Sequence, residues 1–285
     1  MNAPWLIDVI PTLRRPVLLA AFEGWNDAGD AASAALDHLE TAWQAERVAE
    51  LDADEFYVYT DTRPRVALVD GLTRSISWPS TTVSVASPPG AEHDVVLVRG
   101  VEPNLRWQAY CHQLVDIAAA LGVTRTVTLG ALLADVPHTR PIPVTGTASD
   151  PATAEQLGLT SSRYEGPTGI VGVLQDAFAQ RDLQAVSFWV AVPHYASAPP
   201  CPKASLALLR RVEDLLDLPV PLGDLPDLAR LWERQVDEAA AEDSDVAEYV
   251  ASLEDREPQV DDLPEASGDA IAKEFERYLR RRDDS

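Results

Sequence analysis

Apolar positions along this chain follow two rhythms that alternate. Short continuous apolar runs, each the length of a strand, are separated by stretches in which apolar residues return every third or fourth position. Pro16 to Phe22 is the first run and reads as a strand buried on both faces. After a turn, Ala28, Ala31, Ala32, Ala35 and Leu39 recur at helical spacing, with Asp27 placed to cap the helix and Asp30 three residues on. Asp94 to Arg99 is the next strand. Trp107, Cys111, Leu114, Ala118 and Leu121 then form one helical stripe, with Asn104 expected as its cap and Gly122 as its stop. Thr124 to Leu129 and Ala185 to Val192 repeat the strand signal, and Pro167 to Gln180 and Pro202 to Leu216 read as helices. This order predicts an α/β fold, a mostly parallel sheet with helices on both faces.

Two regions break the rhythm. Between Glu46 and Val85 lie β-rich pieces, with Asp70-Gly71 a strong hairpin signal joining Arg65–Val69 to Leu72–Trp78. Residues 135 to 167 are rich in Pro, Gly, Ser and Thr and read as a long irregular connection with a short helix near Thr153 to Leu157. After Pro221 the character changes: from Asp224 to Ser285 there are 20 acidic residues against 8 basic ones. Leu225, Leu228, Trp232 and Val236 make one amphipathic stripe, and Val246, Tyr249, Val250 and Leu253 a second. A last helix is expected over Ser267 to Arg282, docked through Ile271, Phe275, Tyr278 and Leu279. The division expected is an α/β core over residues 1–222 and an acidic helical extension over 223–285.

The formal charge of −23 on 285 residues repels phosphate backbones and anionic lipid, so neither nucleic acid nor a membrane surface is an expected partner. No apolar run approaches the roughly 18 to 20 residues of a membrane-spanning helix, and the N-terminal residues lack a basic, then apolar, signal pattern. A cytoplasmic location is expected. Cys111 and Cys201 stand far apart, outside any zinc-ligand or CxxC spacing, and read as reduced thiols.

The densest group of unusual residues is Phe22 to Asp30 (FEGWNDAGD), between a strand and a helix, where open α/β sheets bind ligands. A phosphate loop needs free backbone amides and a Lys followed by Ser or Thr after its second Gly, whereas Gly29 is followed by Asp30 and Ala31. Turn chemistry alone explains Gly24, Asp27 and Gly29 but leaves Glu23 and Trp25 without a reason. Arg99, Glu102 and Asn104 follow one strand, and His194 and Tyr195 another, so these groups are expected at the same sheet edge. Lys203 sits in the first turn of a helix, where the dipole opposes a cation by up to about 1 kcal/mol. Either a paired carboxylate, such as Glu23 or Glu102, or a ligand pocket is expected to favour it there. The five histidines are scattered, and no GxSxG or HExxH motif occurs, so neither a catalytic set nor a metal or other cofactor is expected. The candidate binding residues are Glu23, Gly24, Trp25, Asn26, Asp27, Arg99, Glu102, Asn104, His194, Tyr195 and Lys203.

Several segments together carry a likeness. Glu23 to Ala32 (EGWNDAGDAA), Arg63-Pro64 with Trp78-Pro79, Gly100 to Asn104 (GVEPN), Gly166 to Gly169 (GPTG), and His194-Tyr195 with Pro202-Lys203-Ala204 resemble the proteasome assembly chaperone 2 family, in its longer actinobacterial form. The resemblance runs over nearly the whole chain. It implies a core similar to the purine nucleoside phosphorylase-like fold and a homo-oligomer, a trimer at a guess. It also implies binding to other proteins, proteasome-related ones among the possibilities. Archaeal relatives can end in a hydrophobic-Tyr-any residue tail, whereas this sequence ends Arg282-Asp-Asp-Ser285. Two functions follow as expectations: an interaction protein of assembly-chaperone type, or an enzyme or small-ligand binder using the strand-end cluster.

Overall fold

The structure is a computed structural model that describes residues 11–161 and 165–255. In chain order its elements are β1 (Val17–Glu23), α1 (Ala31–Ala42), β2 (Glu46–Leu51), β3 (Arg65–Val69), β4 (Thr73–Ser77), β5 (Thr81–Ala86), β6 (Val95–Val101) and α2 (Trp107–Ala120). There follow β7 (Arg125–Ala134), β8 (Val144–Ala148), α3 (Pro151–Leu157), β9 (Thr160–Ser161), α4 (Ile170–Ala179), β10 (Gln184–Pro193), α5 (Pro202–Leu216), α6 (Leu225–Glu242) and α7 (Ser244–Glu254).

Eight strands form one mixed sheet in the order β2-β5-β6-β1-β7-β10-β8-β9, and β3 and β4 form a separate ribbon. The central four, β6, β1, β7 and β10, are parallel, while β5 and β2 on one side and β8 on the other run antiparallel to their neighbours. The continuous apolar runs make the parallel strands because both of their faces are buried. Successive side chains of β1 alternate between two cores. Leu19 and Ala21 pack with α1 and α5, and Leu18, Ala20 and Phe22 with α2 and α4. Trp232 on α6 joins the first of these cores, with Val236 packed against it.

β1 leads into α1 on one face of the sheet, whereas its parallel neighbour β6 leads into α2 on the other. Connections leaving two adjacent strands in opposite directions open a crevice beyond their carboxyl ends. That crevice is bordered by Glu23 to Asp27 and by Arg99 to Glu102.

The hairpin at Asp70-Gly71 forms, but Leu72 joins the loop, so that Val69 pairs with Thr73 and the second strand is Thr73–Ser77 rather than Leu72–Trp78. Asp70 and Gly71 take left-handed backbone angles (φ 54° and 72°), the turn that matches the twist of the two strands. Two further local expectations are corrected. Asn104 does not cap α2; Arg106 occupies the N-cap position, and the Asn104 side chain instead accepts hydrogen bonds from the Val58 amide at 2.9 Å and the Thr62 hydroxyl at 3.0 Å, pinning the loop after β2. The stretch 135–167 is not wholly irregular, because β8 pairs with β10 over Val144–Ala148 and Asp150 caps α3 by accepting from the Thr153 amide. The two amphipathic stripes after Pro221 become α6 and α7. The helix expected over Ser267 to Arg282 lies outside the described residues.

Candidate functional site

Beyond β1 the chain turns at Gly24, whose φ of 124° suits glycine and whose missing side chain leaves room for Glu102. The neighbouring backbones are tied together here, the Glu102 amide donating to the Glu23 carbonyl at 2.9 Å and the Ala131 amide to the Asn26 carbonyl at 2.8 Å. The turn is thereby fixed to the ends of β6 and β7.

Asp27 is buried, and its carboxylate caps α1 from outside the helix. One oxygen accepts from the Ala32 amide at 2.7 Å and the Ser33 amide at 3.2 Å, and the other from the Ser33 hydroxyl. Burial pushes its pKa up to about 6, more than these three donors bring it down. Glu102 does the same for α4. It accepts from the Ile170 amide at 2.8 Å and from the Trp25 amide, and burial again raises its pKa above the usual carboxylate range. The N-termini of α1 and α4 are thus each filled by a carboxylate of the chain itself. Gly169 completes the wall, since a side chain there would collide with Asn26 and with the Trp25 ring. The Asn26 side-chain oxygen is buried without a hydrogen-bond partner among the described residues.

Arg99, at the end of β6, reaches across β1 to Asp37 on α1 and lies 3.6 Å from Glu23. Asp37 is half-buried, and burial raises its pKa against the lowering effect of Arg99.

A second polar group gathers where α5 and α6 meet the loop after β7. Lys203 binds Glu233 on α6 at 2.5 Å and the His138 carbonyl. The carboxylate expected beside it is present, but it comes from α6; Glu23 is held by Arg99 and Glu102 by two amides. His138 is 1% exposed and is bonded through both ring nitrogens, Nδ1 to the Tyr195 hydroxyl at 2.7 Å and Nε2 to Asp237 at 2.9 Å. A neutral imidazole with Nε2–H donating to Asp237 and Nδ1 accepting from Tyr195 satisfies both. The Tyr195 hydroxyl also accepts from the His138 amide at 2.7 Å, and burial pushes its pKa up to about 12. His194 lies 3.2 Å from Asp135 and meets the Tyr249 ring of α7 edge-on. This group clasps α6 and α7 to the strand ends.

The structure therefore divides the candidate residues into a crevice set (Glu23 to Asp27, Arg99 and Glu102) and a clasp set (His194, Tyr195 and Lys203), with Asn104 apart as a loop pin. Sequence reasoning missed His138, Asp237 and Glu233. Their contacts span 30 to 99 residues of chain, and no local spacing marks them. Cys111 and Cys201 are free and buried, and burial pushes their thiols up to about 12 and about 11, away from reactive thiolate. Among the described residues no cluster of three metal-ligating side chains occurs, and no helix is long and apolar enough to cross a membrane.

A family model described as the PAC2 family matches residues 21–240. A crystal structure of a PAC2 family protein from Streptomyces avermitilis is 54% identical, covering 82% of this chain and 99% of that one, with a TM-score of 0.77. A proteasome-assembly chaperone homologue from Mycobacterium tuberculosis is 55% identical over 82% of this chain and 99% of that one, with a TM-score of 0.75. PbaA of Pyrococcus furiosus, an archaeal homolog of proteasome-assembly chaperone, shares the fold at 15% identity, covering 80% of this chain and 93% of that one, with a TM-score of 0.58. No curated protein matches the sequence.

Proposed function

Because the chain belongs to the PAC2 family, with the family pattern running from the end of β1 into α6, we propose that it is a homo-oligomeric protein-binding factor of assembly-chaperone type. The observation that carries this reading is the way the strand-end groups are used up inside the molecule. Asp27 and Glu102 fill helix N-termini, Arg99 is held between Glu23 and Asp37, and Lys203 and His138 are bonded to α6. Groups engaged in this way hold a frame, and recognition falls to the outer surface. The 55% identity to a proteasome-assembly chaperone homologue supports subunits of a multi-subunit protease as the partner class.

The direct test is to mix the purified full chain with separately purified α- and β-type proteasome subunits and follow assembly on native gels. A complex with free subunits that is absent from the finished particle, together with faster particle formation, is the expected result. Identical assembly kinetics with and without the chain, and no complex with either subunit, would remove the chaperone reading.

A ligand-binding reading of the crevice has one observation in its favour, the buried and unpartnered oxygen of Asn26. Titration calorimetry with ATP and GTP addresses it. Because carboxylates already occupy the N-termini of α1 and α4, no heat above dilution is expected, and micromolar binding would reinstate the crevice as a site.

A further inference from the structure

The β3–β4 ribbon stands apart from the sheet, and all ten of its strand residues are exposed. Pairing of Val66 with Ile76 puts both side chains, and that of Leu68, on one face; Leu72 at the tip is 90% exposed and Trp78 at the base 53%. An isolated two-stranded ribbon is at best marginally stable in water, and so large a set of outward apolar residues marks a binding surface. Its charge is equally out of place. From Arg63 to Trp78 there are three arginines against one aspartate, in a chain whose net charge is −23. None of Arg63, Arg65 and Arg74 meets a carboxylate among the described residues.

Among the described residues, large exposed apolar side chains occur in only two other places, Leu105 and the outer face of α6. On α6, Leu228 and Leu231 are 49% and 43% exposed, one turn apart, with Asp224, Asp227 and Glu238 on the same side. Residues 224–255 carry eleven acidic residues against two arginines. The ribbon is apolar and basic, the α6 face apolar and acidic, and among the described residues nothing covers either.

We propose that the β3–β4 ribbon is an assembly arm that docks on the outer face of α6 in a second copy of this chain. This deepens the homo-oligomer reading above and rests on it. Apolar contact between Leu72, Ile76 and Val66 on one side and Leu228 and Leu231 on the other supplies the association, and Arg74, which pairs with Leu68 and so shares their face, meets Asp224 or Glu238 and sets its register. The two surfaces differ, so the contact is head-to-tail, each copy giving an arm and receiving one, and it closes into a ring when the rotation permits.

The test uses light scattering or mass photometry on the full chain and two variants. The ribbon variant carries Leu72→Asp with Ile76→Asp, and the face variant Leu228→Glu with Leu231→Glu. The wild type is expected as a multimer at micromolar concentration, each variant alone as a monomer, and a one-to-one mixture of the two as a dimer only, because each then keeps one intact surface. Raising salt from 50 mM to 1 M should weaken the wild-type assembly. If the face variant loses helical circular dichroism, Asp224→Arg with Glu238→Arg replaces it. A monomeric wild type would overturn both the homo-oligomer reading and this contact. A wild-type multimer left intact by the ribbon variant, or a variant mixture that stays monomeric, would overturn the contact and leave the homo-oligomer reading standing.

Discussion

At the carboxyl ends of the parallel strands, Asp27, Arg99, Glu102, His138 and Lys203 each meet partners on other elements, and the apolar side chains beneath them are buried. On the β3–β4 ribbon Val66, Leu72 and Ile76 face outward, and the arginines beside them meet no carboxylate among the described residues. Among the described residues, one region has its charged groups bonded within the chain, the Asn26 oxygen alone left over in its turn; the other has its apolar groups outside and uncovered. Stability therefore resides in the first region, and the proposed contact would place recognition in the second. A bonded polar network fixes helix positions, because breaking it strands a buried donor or acceptor, whereas apolar area left in water lowers the free energy only when something covers it.

Two tryptophans give the largest expected effect. Trp232 is 8% exposed, lies in the core under α6 and stands 6.4 Å from the His138 ring, whereas Trp78 is 53% exposed and touches the Tyr59 ring edge-on. Trp232→Ala should lower stability in urea unfolding by about 3 to 5 kcal/mol, through the lost burial and the cavity left behind. Trp78→Ala should cost less than about 1 kcal/mol, the scale of a single aromatic pair at the surface. Equal losses at the two positions would break the comparison, since the ribbon would then be part of the folded core.

The second effect sharpens the strand-end side. With its pKa raised from 3.8 to about 6, Asp27 keeps its proton in the native state after the unfolded chain has released it. Between those values the unfolded state binds fewer protons, so the contribution of Asp27 to stability is full below pH 4 and falls as pH rises through 6. A shift of this size corresponds to about 3 kcal/mol. Asp27→Asn should remove that slope. The Asn oxygen can still accept from the Ala32 and Ser33 amides while its amino group donates to the Ser33 hydroxyl. Because Asp94, held below the usual range by Arg14, and Glu102, raised by burial, also titrate, the measurement is the difference between variant and wild type from pH 4 to pH 7. Parallel curves would show that Asp27 is ionised in the fold throughout.

The strand-end turn was legible in the sequence because its signals are local. Glycines, a capping Asp and an apolar run of seven residues sit within fourteen positions, and β1, the turn and α1 follow from them directly. The ribbon's turn was legible in the same way but its register was not: a two-residue Asp70-Gly71 loop would pair Val69 with Leu72, whereas Leu72 stays in the loop, Val69 pairs with Thr73 and Val66 with Ile76. Lys203 marks the limit. Its position at a helix start called for a carboxylate, and one is there, but Glu233 lies 30 residues away on a helix whose docking no nearby residue announces. Asn104 misled for the opposite reason: its type and spacing suit a helix cap, yet its carbonyl oxygen is taken by Val58 and Thr62 from a loop more than 40 residues earlier. β8 escaped because Val144–Ala148 is a short antiparallel strand, each residue but the last only half-buried, within a segment whose Pro, Ser and Thr content reads as loop.

The smallest effect on stability falls at the ribbon tip, and there the contrast between the two regions is most exposed to failure. Leu72 is 90% exposed, and its amide donates to the Val69 carbonyl at 3.2 Å as part of the turn, so its side chain adds nothing to the fold that the backbone does not already hold. Leu72→Ser keeps that amide and removes only the apolar side chain. The unfolding free energy of the monomeric form, from thermal unfolding, should therefore stay within about 0.5 kcal/mol of wild type, the range of a surface change that disturbs no packing. Exposed apolar area should drop at the same time, giving weaker binding of a hydrophobic dye to whatever chains are not assembled. If Leu72→Ser instead lowers stability by as much as Trp232→Ala, the ribbon is anchored to its own chain through its tip, and the division between a satisfied interior and an uncovered surface does not hold.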